Sequence, residues 1–172
     1  MPRLFSGSVT LASGQMLWGG GACNGNFVLS SGAMLAPGTN AIGRLTFNNS
    51  LTLGAGCTNV FEISSSPLTN DVAKVFGNLT NGGVLVVVAT GPTPPQRGDT
   101  FRLFDAADYD GSFSTVLLPS LGTGLGWDTA DLNSQGVIRV VAAPPVFGAS
   151  RVPDLTLYCS AAAASQVELI TC

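Results

Sequence analysis

Histidine is absent from this 172-residue chain, and lysine occurs once, at Lys74. Without imidazole, Ser-His-Asp and Cys-His catalysis are excluded, as is every zinc site that needs a histidine ligand. Charge is scarce: Asp, Glu, Lys and Arg make up 10% of the residues, against roughly a quarter in ordinary soluble domains. The net charge is −3 and the arginines are scattered, so the basic footprint of a nucleic-acid binder is missing. No apolar run reaches the roughly 18 residues of a transmembrane helix. No basic-then-apolar leader follows Met1, so any export signal is expected outside this sequence. Cys23, Cys57, Cys159 and Cys172 show no CxxC spacing, and they read as small buried residues or free thiols.

Apolar residues and glycine take the place of charge, at 45% and 22 residues. That composition excludes a disordered chain, and the length suits one well-buried domain. The first third repeats itself. SVTLASGQMLWGGGACNG (residues 8–25) aligns without gaps to NFVLSSGAMLAPGTNAIG (residues 26–43), a period of 18. Val9 matches Phe27, Leu11 matches Leu29 and Leu17 matches Leu35; a third copy carries Leu45, Phe47, Leu51 and Leu53. Within each copy the apolar residues alternate, which is the period of a half-buried strand. Turn residues cut the copies into pieces too short for helices.

Short alternating strands at a fixed period point to stacked coils. The fold expected is all-β: one right-handed parallel β-helix of about five to six coils, with Leu11, Leu29, Leu35, Leu45, Leu51 and Leu53 inside. A β-sandwich is the competing architecture, but it has no reason to repeat at 18 residues. Later strands are expected at residues 72–76, 84–89, 100–104, 113–117 and 137–141. VLVVVA is apolar throughout, which predicts cover on both faces and a buried Val86. The proline-rich residues 90–99 cannot form an interior strand. Residues 1–142 are read as the coil domain and 143–172 as a linker and tail. A helix from Ser160 could cap the last coil. The abrupt change of composition is also what a vector-derived or out-of-frame tail of a cloned environmental fragment would produce.

LAPGTNAIGRLTFNNSLTLGAGCTNVFEIS (residues 35–64) resembles the autotransporter-associated β-strand repeat of large bacterial surface proteins. GDTFRLFDAADYDGSF, GLGWDTADL and GVIRVV resemble the closing region of the same family. The resemblance covers residues 8 to 147 or so. It implies a secreted or cell-surface parallel β-helix that serves as scaffold or passenger, with no family active-site residues to transfer.

Two acidic groups carry the remaining chemistry. Asp108-Tyr109-Asp110-Gly111, with Asp105 three residues earlier, has the kernel of an oxygen-ligand calcium loop. The downstream bidentate acid that closes such loops is missing, so a solvated turn competes with a calcium site built on Asp105, Asp108 and Asp110. Asp128 and Asp131 could serve as general acid and base, or as a turn and a helix cap. These carboxylates define the alternative function, a calcium-dependent hydrolase of esters or lactones with no organic cofactor. Trp18 and Trp127 could stack on sugar rings, which gives a second alternative, a carbohydrate-binding module. Arg97, Arg102 and Arg139 could clamp an anionic substrate or screen acidic neighbours. Small esters, lactones or glycans are thus the candidate ligands.

Overall fold

A computed structural model describes residues 7–38, 41–144, 147–150 and 156–159. The chain is almost entirely β. In order, the strands are β1 (Ser8–Leu11), β2 (Met16–Gly19), β3 (Gly21–Cys23), β4 (Asn26–Leu29), β5 (Met34–Pro37), β6 (Arg44–Phe47) and β7 (Leu51–Leu53). There follow β8 (Thr58–Ser65), β9 (Leu68–Asn70), β10 (Val72–Asn81), β11 (Val84–Ala89), β12 (Thr100–Arg102), β13 (Phe104–Gly111) and β14 (Thr115–Leu117). β15 (Leu125–Asp128), the single-turn helix α1 (Leu132–Gln135), β16 (Val137–Ala142), β17 (Phe147–Ser150) and β18 (Thr156–Cys159) complete the described elements. Among the described residues, no helix is long and apolar enough to cross a membrane.

Two parallel sheets carry the core. In the first, Val9 stands beside Phe27, Phe27 beside Leu51, Leu51 beside Leu79, and Leu79 beside Tyr109, in steps of 18, 24, 28 and 30 residues. A second column of that sheet runs Gly21, Leu45, Ala73, Phe104, in steps of 24, 28 and 31. The other sheet stacks Leu17, Leu35, Asn59, Leu85 and Val116, in steps of 18, 24, 26 and 31. Each strand thus pairs with the one a full repeat later, and the columns run four or five strands deep. The 18-residue period governs only the first step, because loops lengthen every later one.

The inward residues of these ladders form one apolar cluster. Leu29, Leu35, Leu45, Phe47, Leu51, Leu53, Phe61 and Leu85 are all buried, and Leu11 lies at the cluster's edge. Each such side chain contributes about 1.5–3 kcal/mol relative to exposure. The six expected core leucines are all there. Val86 is not: in β11 it is Leu85 and Val87 that point inward, while Val84 and Val86 are half-buried and Val88 is exposed. VLVVVA therefore alternates like its neighbours, with an apolar outer face that nothing in the described residues covers.

β10 and β13 are long because each runs from one column of the first sheet into the other. A bulge between Val75 and Asn78 takes up the bend, placing two residues of β10 against one of β13. Gly77 sits in that bulge, where a Cβ would come 2.9 Å from the Asn49 carbonyl carbon, so a side chain is excluded.

Two of the expected coil strands belong elsewhere. β12 and β16 pair antiparallel, and β15 joins β16 in the same sense, giving a separate three-stranded sheet. An alternating pattern does not distinguish parallel from antiparallel partners. The buried residues of this sheet, Phe101, Ile138 and Val140, join the main cluster together with Leu103 and Leu132. The cover expected from a tail helix is thus supplied, over this part of the core, by residues 100–142. β17 and β18 form an antiparallel ribbon where a linker was expected. The helix expected from Ser160 lies outside the described residues.

Candidate functional site

FDAADYDGSF is not a turn. Residues Phe104–Gly111 are one strand, β13, hydrogen-bonded along β10. Phe104 points into the core. The Tyr109 hydroxyl donates to the Phe104 carbonyl at 3.0 Å and accepts from the Ala106 N–H at 3.0 Å, pinning the strand to itself. Burial, the largest influence, pushes the Tyr109 phenol above its ordinary pKa. The three aspartates are left on the outer side, and two of them have separate partners. Lys74 donates to Asp105 at 2.8 Å, and Arg102 lies 3.7 Å from the same carboxylate. Asp110 accepts from the Asn78 side chain at 2.9 Å. Asp108 is exposed and has no partner among the described residues. Among the described residues, no three acidic or thiol side chains converge to hold a metal ion.

With Asp105 neutralised by Lys74 and Asp110 committed to Asn78, a hard cation would have to displace both contacts. Thermal melts in millimolar calcium and in chelator are therefore expected to coincide. A calcium-dependent rise in Tm that disappears in Asp108→Ala/Asp110→Ala would reinstate the metal site.

Asp128 and Asp131 are also in structural use. The Asp128 side chain accepts the Ala130 N–H at 3.0 Å, the local turn that aspartate favours. Asp131 occupies the N-cap position of α1, yet makes no side-chain cap. Its carboxylate instead receives Arg139 from β16 at 2.6 Å. Arg139 thus secures the short helix to the antiparallel sheet. Arg102 and Arg139 both screen acidic neighbours, and Arg97 is exposed with no partner among the described residues.

The tryptophans divide. The indole N–H of Trp127 donates to the Pro119 carbonyl at 2.9 Å, and its ring tilts over Phe101 at 6.2 Å. That is packing. Trp18 is 58% exposed on the outer face of β2, beside Met16 at 50%. Both line a groove of about 210 Å³ that Pro37, Val60, Glu62 and Asp71 also line.

The groove arises where the 18-residue step becomes 24. β5 stays paired with β8 only through Met34–Thr58 and Leu35–Asn59. Pro37 ends the strand because it has no N–H to give the ladder. Gly38 then turns the chain at φ 88°, exchanging two 2.8 Å hydrogen bonds with Gly19. A Cβ at Gly38 would also collide with the Ala41 carbonyl oxygen, so glycine is required there twice over.

Asp71 is an acidic residue that the sequence analysis did not single out. It is 1% exposed. One carboxylate oxygen accepts the Gly43 N–H at 2.7 Å and the other accepts the Glu62 N–H at 2.8 Å. Its own N–H donates to the Glu62 carbonyl at 2.8 Å. Burial pushes its pKa up; the two N–H donors pull the other way, and the Glu62 charge adds to the rise. Its partners lie 28 and 9 residues away in sequence, which is why no local motif marks it.

The two described thiols, Cys23 and Cys57, are inert by position. Burial raises the pKa of Cys23 and of Cys57, both unpaired, so little thiolate forms at neutral pH.

Comparison with models of known protein families gives no match. Among curated proteins, the chain is similar to the adhesin BmaC autotransporter of Brucella suis biovar 1 (strain 1330), with 42% identity over 69 residues. The matched stretch is 38% of this chain and 2% of that much longer protein.

Proposed function

We propose that this chain is a segment of a secreted bacterial passenger, a right-handed parallel β-helix that acts as scaffold on or beyond the cell surface. The observation that carries the reading is the column register: parallel neighbours separated by a full repeat in each of three columns. Backbone pairing of this kind can continue strand upon strand, and a rod built so needs no charge, cofactor or catalytic group to hold its shape. The local likeness to an autotransporter adhesin supports the same reading. The candidate carboxylates support it too, since Asp105, Asp110, Asp128 and Asp131 each serve a nearby contact.

Surface display tests this role. Fused ahead of an outer-membrane translocator barrel, residues 7–144 are expected to reach the cell exterior and to resist limited proteolysis there. Accumulation inside the cell as a degraded product would contradict a passenger role. So would ester or lactone turnover that is lost in Asp128→Ala/Asp131→Ala.

A further inference from the structure

We propose that the groove between Trp18 and Glu62 docks an aliphatic-stemmed cation, a lysine or arginine side chain presented by a partner protein. This goes beyond the scaffold role, which needs no ligand. Trp18 offers an exposed indole face, the best aromatic surface for a cation. Glu62 lines the same groove from β8, across β5 from Trp18, and has no ion-pair or side-chain hydrogen-bond partner among the described residues. Asp71 adds acidic character behind it, with both oxygens held by backbone N–H groups and so unable to swing away.

The rest of the wall selects the ligand's shape. Met16, Pro37 and Val60 are apolar, and among the described residues the only side-chain donor in the lining is the Trp18 indole N–H. A sugar presents a ring of hydroxyls that need both donors and acceptors, and here most would go unpaired. A charged head on a methylene stem needs what the groove has: a carboxylate, a π face and apolar walls. Among the described residues, no Lys or Arg lines the groove to compete.

The surface beyond the groove points to a macromolecule as the source of that side chain. Val60 stands beside Val86 and Val86 beside Leu117, so an apolar outer row leads away from the groove to a leucine 52% exposed. A free small cation would use none of that row. A peptide with apolar residues flanking its lysine or arginine would cover it.

The test follows the indole resonances of the ¹⁵N-labelled protein. N-acetyl-lysine methylamide and its arginine counterpart are expected to shift the Trp18 signal saturably and leave that of Trp127 in place. Glu62→Gln should weaken binding on the order of five-fold, added salt should weaken it further, and circular dichroism should confirm that the variant is folded. A lysine peptide flanked by valines should bind tighter than the isolated side chain, with the gain lost in Leu117→Ser. Equal shifts from the uncharged norleucine and citrulline counterparts would overturn the proposal, as would a Trp18 shift produced by N-acetylglucosamine and by neither cation, or no shift at all. A valine-flanked peptide that binds no better than the isolated side chain would refute the partner-protein assignment.

Discussion

Replacing Asp71 by alanine is expected to destabilise the fold by about 2–4 kcal/mol, because it strands two inward N–H groups at once. In a chain of this length that corresponds to a fall in Tm on the order of 5–10 °C. Asp71→Asn should lose less, since the amide oxygen can still accept from one donor while its NH₂ faces the other. The pH dependence separates the charge from the hydrogen bonds. Burial raises the Asp71 pKa in the folded state above its unfolded value. The folded protein therefore binds a proton that the unfolded chain does not, in the window between the ordinary carboxylate pKa and the raised one. Stability from this group rises as pH falls through that window and levels off below it. The margin of the wild type over Asp71→Asn should accordingly widen on acidification from neutral pH. A margin that shrinks instead would mean that the two N–H donors outweigh burial and hold the pKa down.

Phe104→Ala is expected to cost about 3–5 kcal/mol, the most of any single side-chain truncation considered. Phe104 is fully buried, with ring centres 4.7 Å from Phe61 and 5.6 Å from Phe113. It also stands where the parallel ladders meet the antiparallel sheet: it is beside Ala73 in the ladder, and its N–H bonds to the Gly136 carbonyl. A cavity there loosens both. Urea denaturation should show the lowered midpoint, and hydrogen exchange should show β16 losing protection together with β10. Phe76→Ala provides the contrast. Phe76 is 60% exposed on the bulge, with the Lys74 ammonium 5.2 Å from its ring centre, so its loss should stay within about 0.5 kcal/mol. Equal costs at the two positions would refute the division between core and outer face.

Much of this architecture was legible in the residues, and the exceptions share a cause. Alternation marked the inward leucines because each lies on a strand with polar or small neighbours between. In VLVVVA every position is apolar, so the pattern carries no phase, and only the register with β8 shows Leu85 and Val87 facing in. The 18-residue period set the first step correctly but not the later ones, since extra residues at the corners shift register without changing the strands themselves. Aspartate disfavours strands, so FDAADYDGSF read as a turn; Lys74 and Asn78, 31 and 32 residues earlier, supply the partners that make a strand tolerable. The groove was the least visible feature. It depends on where β5 separates from β8, and no single stretch of sequence records that separation.

The central claim is the parallel stacking itself, and backbone nuclear Overhauser contacts test it most directly. In the first sheet, Thr10, Val28, Thr52, Thr80 and Asp110 stand in one outward row. Neighbouring strands in such a row lie about 4.8 Å apart. Contacts are expected between Thr10 and Val28, Val28 and Thr52, Thr52 and Thr80, and Thr80 and Asp110, with the pattern of parallel pairs throughout. Contacts that instead join consecutive strands in antiparallel register, such as β1 with β2 or β4 with β5, would contradict it.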